Sequence, residues 1–340
     1  MRGKGFIFSH GNVRVRLRNK LAAARAVALA HLTGRRTPLS VSFHVTNRCN
    51  YACSYCDVPG TPADEMSLDE VYSIVDGLAR LGCQRIGLTG GEPLVRSDIG
   101  DIVRRCQDNG IFTGLVSNGA LVTRRLKDIA SLDLLQLSLD GPAEVHDAVR
   151  EPGAHDMVME AIAAARTEGM TVWLTTVLTN ESVEHVDHVL DIARHYDLKV
   201  YVQPVVDYDI CGPGAKKLLP DAERLQEVLT YLMMVKRSEG LIGNSMEGLE
   251  HLMHWPEHPK DVYCWAGILY AHIYTDGRLY PCFNMVGGPA PDARTAGIER
   301  AFAALESPSC PGCWTYANLE LNLLFSLDPG VVTNSLRLLR

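Results

Sequence analysis

Aromatic side chains make up only 7% of this 340-residue chain, positive charge is scarce outside its first 36 residues, and no apolar run reaches 18 residues. The last absence excludes a conventional membrane-spanning helix. The formal charge of −7 and the pI near 5.9 exclude a general nucleic-acid binder, whose footprint should be basic. There is no P-loop, no internal repeat, and too little chain ahead of the first cysteine motif for a separate cobalamin domain. Met1 to Asn12 offer charge but no continuous apolar stretch before a small-residue cleavage site, so a cytoplasmic setting is expected. What is present suits a folded α/β protein: 46% hydrophobic and 21% charged residues, with 29 glycines and 17 prolines for turns. The length suggests two domains, or one large domain with an appendage.

The two ends of the chain differ from its body. Residues 1–36 hold nine basic residues, from Arg2 to Arg36, and no acid, leaving the remainder at about −16. Within them Leu17, Leu21, Ala24, Ala28 and Leu32 recur at helical spacing, predicting a basic amphipathic helix. Such a helix can lie on an anionic membrane or dock on the protein body with its charges in water. A C-terminal helix is expected over 319–340.

Ten cysteines are the informative presence. In a chain expected to stay in a reducing compartment, metal binding or catalysis is a better use for them than disulfides. After an alternating strand at Val41–Val45 comes Cys49-Asn50-Tyr51-Ala52-Cys53-Ser54-Tyr55-Cys56, a C-x3-C-x2-C loop. Three thiolates this close suit one compact iron–sulfur cluster with an open iron corner. Zinc is the alternative, with His44 as a fourth ligand. Apolar Val71, Ile74, Val75, Leu78 and Leu81 then mark a helix, followed by a strand at Arg85–Leu88 and Thr89-Gly90-Gly91-Glu92-Pro93.

With the three-cysteine loop after one strand and GGEP after the next, the sequence resembles the radical S-adenosylmethionine (SAM) superfamily over roughly Leu39 to Trp314. The resemblance implies a partial (β/α)6 barrel over 37–215. The pattern agrees: further strands read at Phe112–Ser117, Leu134–Leu139, Thr171–Val177 and Val200–Val205, with helices near Asp98–Asn109, Thr123–Ala130, Met157–Glu168 and Val183–His195. It also implies that Cys49, Cys53 and Cys56 ligate a 4Fe-4S cluster whose open iron is chelated by SAM. Carried over by position, Tyr55 lies near adenine, and Gly90, Gly91 and Glu92 receive the SAM amino group or buttress the loop. Ser117 and Asn118 lie near methionine or ribose, Ser138 and Asp140 at ribose, and Arg150 at the SAM carboxylate.

Four later cysteines follow as Cys264-x17-Cys282, then 27 residues, then Cys310-x2-Cys313. Ala271–Tyr274 and Arg278–Tyr280 around Asp276-Gly277 read as a β-hairpin. The spacing alone fits zinc or an iron–sulfur centre. Beside the first motif it resembles the twitch domain, a shorter relative of the SPASM domain. That implies a small hairpin-plus-helix domain over 256–318, after a helical linker over 216–255, holding one auxiliary 4Fe-4S cluster.

Cys83 and Cys106 read as core residues. Cys211, in the loop Asp207-Tyr208-Asp209-Ile210-Cys211 after the sixth strand, is a candidate hydrogen-atom donor, with Asp207, Tyr208 and Asp209 as candidate substrate contacts. His251 or His254 is a candidate pocket residue. The resulting expectation is an enzyme that reductively cleaves SAM to a 5′-deoxyadenosyl radical and abstracts hydrogen from a small molecule or lipid, leading to oxidation or C–C bond formation. A flavodoxin or ferredoxin would be its reductase. The alternatives are a peptide-modifying maturase, for which the first 36 residues are too short to include a winged-helix leader-binding domain, and a noncatalytic metal scaffold.

Overall fold

The computed structural model describes residues 13–61, 64–206, 215–257, 262–308, 310 and 312–338, with side chains in the first helix from Leu21 onward. After α1 (Val13–Thr33) come β1 (Ser40–His44), α2 (Leu68–Leu81), β2 (Arg85–Thr89), α3 (Ile99–Asp108), β3 (Phe112–Ser117), α4 (Val122–Ile129) and β4 (Leu134–Ser138). Then follow α5 (Ala143–Val149), α6 (Ala154–Thr167), β5 (Val172–Leu178), α7 (Val186–Tyr196) and β6 (Lys199–Pro204). The remainder comprises α8 (Ala222–Glu239), α9 (Met246–Leu252), the hairpin β7 (Tyr270–Ile273) and β8 (Leu279–Tyr280), α10 (Ala293–Ala296), α11 (Ile298–Ala303), α12 (Tyr316–Phe325) and α13 (Pro329–Leu338). Among the described residues no helix is long and apolar enough to cross a membrane.

The strands form one sheet in the order β6-β5-β4-β3-β2-β1-β7-β8, parallel throughout except for the β7–β8 pair. This is the expected α/β partial barrel, with one difference. The hairpin does not stand apart: β7 runs parallel beside β1, with Ser42 opposite His272, as a seventh parallel strand. A bare β1 edge would leave a row of unpaired backbone groups, and β7 covers it. At the other edge Asn244 does similar work, its side chain accepting from Val202 N (2.9 Å) and donating to Val202 O (3.0 Å) as a peptide unit would.

Alternation along the strands divides the two faces. Val41, Phe43, Ile86 and Leu88 point outward, fully buried under the helices. One of these helices, α2, starts at a reciprocal cap between Ser67 and Glu70 and stops at Gly82 in the left-handed region. The inward positions of the first strands are Ser40, Ser42, Arg85 and Gly87, where a filled barrel would carry branched aliphatic residues. These small and polar side chains leave the barrel hollow. On the open side α12 stands in the gap, Tyr316 packing with Tyr201 (ring centroids 4.9 Å) while Leu321 joins the cluster around Tyr270 and Trp265.

The N-terminal helix docks by a face other than the expected one. Ala26, Val27 and Ala30 pack into the cluster with Trp265, Leu269 and Phe325, while Leu21, Ala24, Ala28 and Leu32 are exposed. The small side chains allow close approach of α1, which is fastened by His31 Nε2 against Phe325 O (2.7 Å) and by Arg36 Nε donating to Gly267 O (2.7 Å). The C-terminal region folds as two helices, α12 and α13, broken at Leu327 with positive φ.

Candidate functional site

The three-cysteine loop leaves the carboxyl end of β1, where ligand sites collect in barrels. It is tied to the end of α5 by Ser54 N donating to Val149 O (2.8 Å) and Ala52 N donating to Glu151 Oε1 (3.1 Å). Cys49, Cys53 and Cys56 are all partly exposed. Burial raises the pKa of Cys49 and Cys53, and for Cys49 the charge of Cys53 adds to the rise.

The GGEP turn closes against this loop. Gly90 has φ +147°, open to glycine and rarely to other residues, and a Cβ there would collide with the Thr46 carbonyl; one on Gly91 would collide with Arg48 O. Glu92 is fully buried. Its carboxylate accepts from Leu94 N (3.0 Å), Ser117 Oγ (3.0 and 3.1 Å) and Asn118 N (2.8 Å). Burial nevertheless lifts its pKa to about 7. Of the two expected roles, these bonds are those of a buttress joining β2 to β3. Ser117 and Asn118 are likewise turned toward Glu92, and the Asn118 side chain donates to Asn50 Oδ1 (3.0 Å) in the cysteine loop.

Asp140 is engaged at both oxygens: Oδ1 accepts from Val177 N (2.9 Å), and Oδ2 accepts from Arg150 Nε (2.7 Å). It fixes a buried guanidinium beside the loop, with Arg150 Cζ 5.8 Å from the Tyr55 ring centroid. Ser138 ends the same strand, half-buried.

The four late cysteines come from three places: Cys264 before β7, Cys282 after β8, and Cys310 and Cys313 before α12. Burial raises the Cys313 thiol well above its ordinary value, and Cys282, Cys264 and Cys310 each add to it; burial pushes Cys282 to about 12, with Cys264 and Cys310 contributing. The four thiols therefore lie within one another's fields. Asn318 Nδ2 donates to Cys282 Sγ (3.1 Å). Among the described residues no three His, Cys, Asp or Glu side chains are gathered tightly enough for one ion. Four thiols within one another's fields form a donor set whose chemistry suits an iron–sulfur cluster.

Between the two cysteine groups lies a cavity of about 370 Å³, with Cys56, Tyr55 and Gly90 on one side and Cys282 and Phe283 on another. Its walls include Gln136, Thr175, Gln203 and Tyr316; the Gln136 side chain donates to the hydroxyls of both Thr175 and Tyr316. His44 and His272 complete the wall with ring centroids 6.0 Å apart. Both ring nitrogens of buried His272, and Nε2 of His44, lack a hydrogen-bond partner. Burial lowers the His44 pKa to about 4, and burial followed by His44 holds His272 well below its ordinary range, so both rings are neutral at pH 7.

Sequence reasoning missed His272, Gln136, Gln203 and Tyr316. The signal available for His272 was alternation along the hairpin strand, which turns Tyr270, His272 and Tyr274 to one face. Of the expected pocket histidines, His254 is exposed and His251 braces the late cysteines through Nε2 against Cys313 O (3.2 Å). Cys83 and Cys106 are buried, as expected of core residues. Asp207, Tyr208, Asp209 and Cys211 lie outside the described residues.

Residues 43–193 match the family model described as the radical SAM superfamily. That stretch is similar to a radical SAM domain. SAM and a 4Fe-4S cluster are the cofactors of that family. Mycofactocin maturase MftC of Mycolicibacterium smegmatis is 29% identical over 259 residues, 73% of this chain and 65% of that protein. PqqA peptide cyclase of Bradyrhizobium diazoefficiens is 26% identical, over 72% of this chain and 66% of its own length. The chain thus spans about two thirds of the length of these curated relatives. Among solved structures, Streptococcus suis SuiB bound to precursor peptide SuiA shares the fold with a TM-score of 0.65 at 16% identity, over 86% of this chain and 70% of SuiB.

Proposed function

We propose that this protein is a peptide-modifying radical SAM enzyme in which Cys49, Cys53 and Cys56 hold the SAM-binding 4Fe-4S cluster. In this reading Cys264, Cys282, Cys310 and Cys313 hold an auxiliary one in a twitch-like domain. The observation that carries it is the single cavity touching Cys56 at one wall and Cys282 at another. The similarity to a peptide cyclase and the shared fold with a precursor-peptide complex favour a peptide over the small molecule or lipid expected from sequence. When bound, the cluster and SAM supply a deoxyadenosyl radical able to take a hydrogen atom from carbon. The protein's own residues aim and shelter that chemistry. Gly90 and Gly91 let the GGEP backbone approach the cysteine loop, the Glu92 carboxylate ties the end of β2 to that of β3, and Asp140 holds Arg150 beside the loop for an anionic group such as the SAM carboxylate. The cavity wall is largely apolar, and its neutral histidines and amide side chains can orient a peptide group by accepting and donating hydrogen bonds. An electron donor such as flavodoxin or ferredoxin is part of the proposal.

The test is anaerobic reconstitution followed by dithionite-driven SAM cleavage, with peptides encoded near the gene offered as substrates. The proposal expects roughly eight irons per chain, falling to roughly four in Cys282→Ser. Deoxyadenosine should form in the wild type and be absent in Cys53→Ala, and a peptide should change mass only when SAM is present. Roughly four irons in the wild type would remove the auxiliary cluster. SAM cleavage that couples to a small molecule and to no peptide would restore the earlier expectation.

A further inference from the structure

A second cavity, of about 320 Å³, lies between α1 and the pair α12–α13, beside Leu39 and Ser40 at the start of β1 and so at the end of the barrel away from the cysteine loop. Its walls are mostly apolar, with Ser40, Gln84 and Arg85 lining it at the barrel end. Ala24 and Ala28 of α1 form one side, and Leu324, Leu327, Val332 and Leu336 form much of the other. The small residues on α1 make the room, since a larger side chain at either position would project into it. The space is more than twice the roughly 150 Å³ of an apolar cavity known to accept benzene.

This explains the unexpected orientation of α1. Ala26, Val27 and Ala30 seal the helix to the body, and the stripe Leu21, Ala24, Ala28, Leu32 is left open. Leu32 is 82% exposed and Leu21 63%; across the groove Leu327 is 56% and Leu336 54% exposed. Singly exposed leucines are ordinary, but four around an apolar groove mark a contact surface.

Charge identifies what the surface meets. Arg25 adjoins Ala24 and Arg337 adjoins Leu336, both of them exposed. Neither α1 nor α13 contains an acid, residues 1–36 contain none, and the rest of the chain is strongly acidic. Of the neighbouring acids, Asp328 caps α13 by accepting from Gly330 N (2.9 Å) and Val331 N (3.1 Å), buried Glu320 of α12 turns inward to accept from Ser245 N (2.7 Å), and Glu247 lies against Gly330 at the start of α13. A second copy of the chain would set like charge against like across a two-fold contact. An anionic amphiphile suits both the apolar groove and its basic surroundings.

We propose that the groove between α1 and α12–α13 binds a hydrocarbon chain of an anionic lipid and seats this end of the protein on an anionic membrane surface. The site is independent of the peptide reading and says where the enzyme works, not what it modifies. Two binding measurements on the full-length, cluster-loaded protein test it. The first is co-sedimentation with vesicles of phosphatidylcholine, alone or mixed with phosphatidylglycerol; the second is fluorescence titration with dansyl-undecanoic acid. Binding to the anionic vesicles should be roughly tenfold or more tighter and should weaken in high salt. Ala28→Phe, which fills the groove, should weaken dansyl-undecanoic acid binding roughly tenfold. Leu32→Glu/Leu336→Glu should abolish vesicle binding. Both variants should keep wild-type iron content and thermal midpoint, because the docked face of α1 is untouched. Equal dansyl-undecanoic acid binding by wild type and Ala28→Phe would overturn the proposal, as would indifference to vesicle charge. So would a dimer that Leu32→Glu dissolves. Dansyl-undecanoic acid binding that appears only after removal of residues 1–11 would also overturn it, since the chain's own Phe6-Ile7-Phe8 would then be the occupant.

Discussion

Replacing Asp140 by alanine removes the carboxylate from a pair whose side chains are almost wholly buried, 1% exposed for Asp140 and 6% for Arg150. The guanidinium remains in place with its Nε donor deserted, and Val177 N loses its acceptor as well. Breaking one side of a buried ion pair costs about 3–5 kcal/mol, mostly from the charge left behind. At an unfolding entropy of about 2.1 cal/mol/K per residue, 4 kcal/mol in a chain of 340 residues lowers the melting midpoint by about 5–6 °C. Calorimetry on the SAM-free protein measures this directly. The sharper test is the double variant Asp140→Ala/Arg150→Met. With both charges gone no ion is stranded, so the double variant should be more stable than Asp140→Ala by about 2 kcal/mol. Additive losses, agreeing within about 0.5 kcal/mol, would refute the argument, for they would mean that Arg150 finds adequate solvation without Asp140.

Two further outcomes are expected. Glu92 and Glu320 are both raised by burial to about 7 from an ordinary 4.5. A carboxyl that stays protonated in the fold while ionised in the unfolded chain favours folding fully below pH 4.5, and loses that advantage as pH rises to 7. Each therefore contributes a loss of roughly 3 kcal/mol across that window, and Glu92→Gln should remove about half of the combined slope in denaturant titrations at stepped pH; an unchanged slope would contradict the assigned burial effect. Gly90→Ala forces a methyl group onto the Thr46 carbonyl at φ +147°, and should cost about 2 kcal/mol of stability and weaken SAM binding, read by calorimetric titration. Wild-type affinity in that variant would show that the turn can shift.

The barrel was legible because its signals are local. Alternation of Val41, Phe43, Ile86 and Leu88 marks strands with one buried face, and the spacing of Val71, Ile74, Val75 and Leu78 marks α2. The cysteine loop and GGEP were legible for a similar reason, each being a contiguous run. Partnership across the chain was not. Nothing near Asp140 in sequence shows that its oxygens will meet Val177 N and Arg150 Nε, or that Ser117 and Asn118 will be occupied by Glu92. The face chosen by α1 was also hidden, since the leucine stripe has the stronger hydrophobic signal. Ala26, Val27 and Ala30 won because small side chains fit closely against Trp265 and Phe325.

The pairing of β1 with β7 has a consequence for what the protein can vary. Cys49 follows five residues after the end of β1, and Cys264 and Cys282 flank the β7–β8 hairpin that is hydrogen-bonded to β1 in fixed register. The two cysteine groups are therefore gauged against each other by a backbone ladder, as two jaws are by the frame of a vice. Substitution can reshape the inward side chains of the cavity, but the gap between the jaws is set by peptide geometry and is the last thing that mutation can alter.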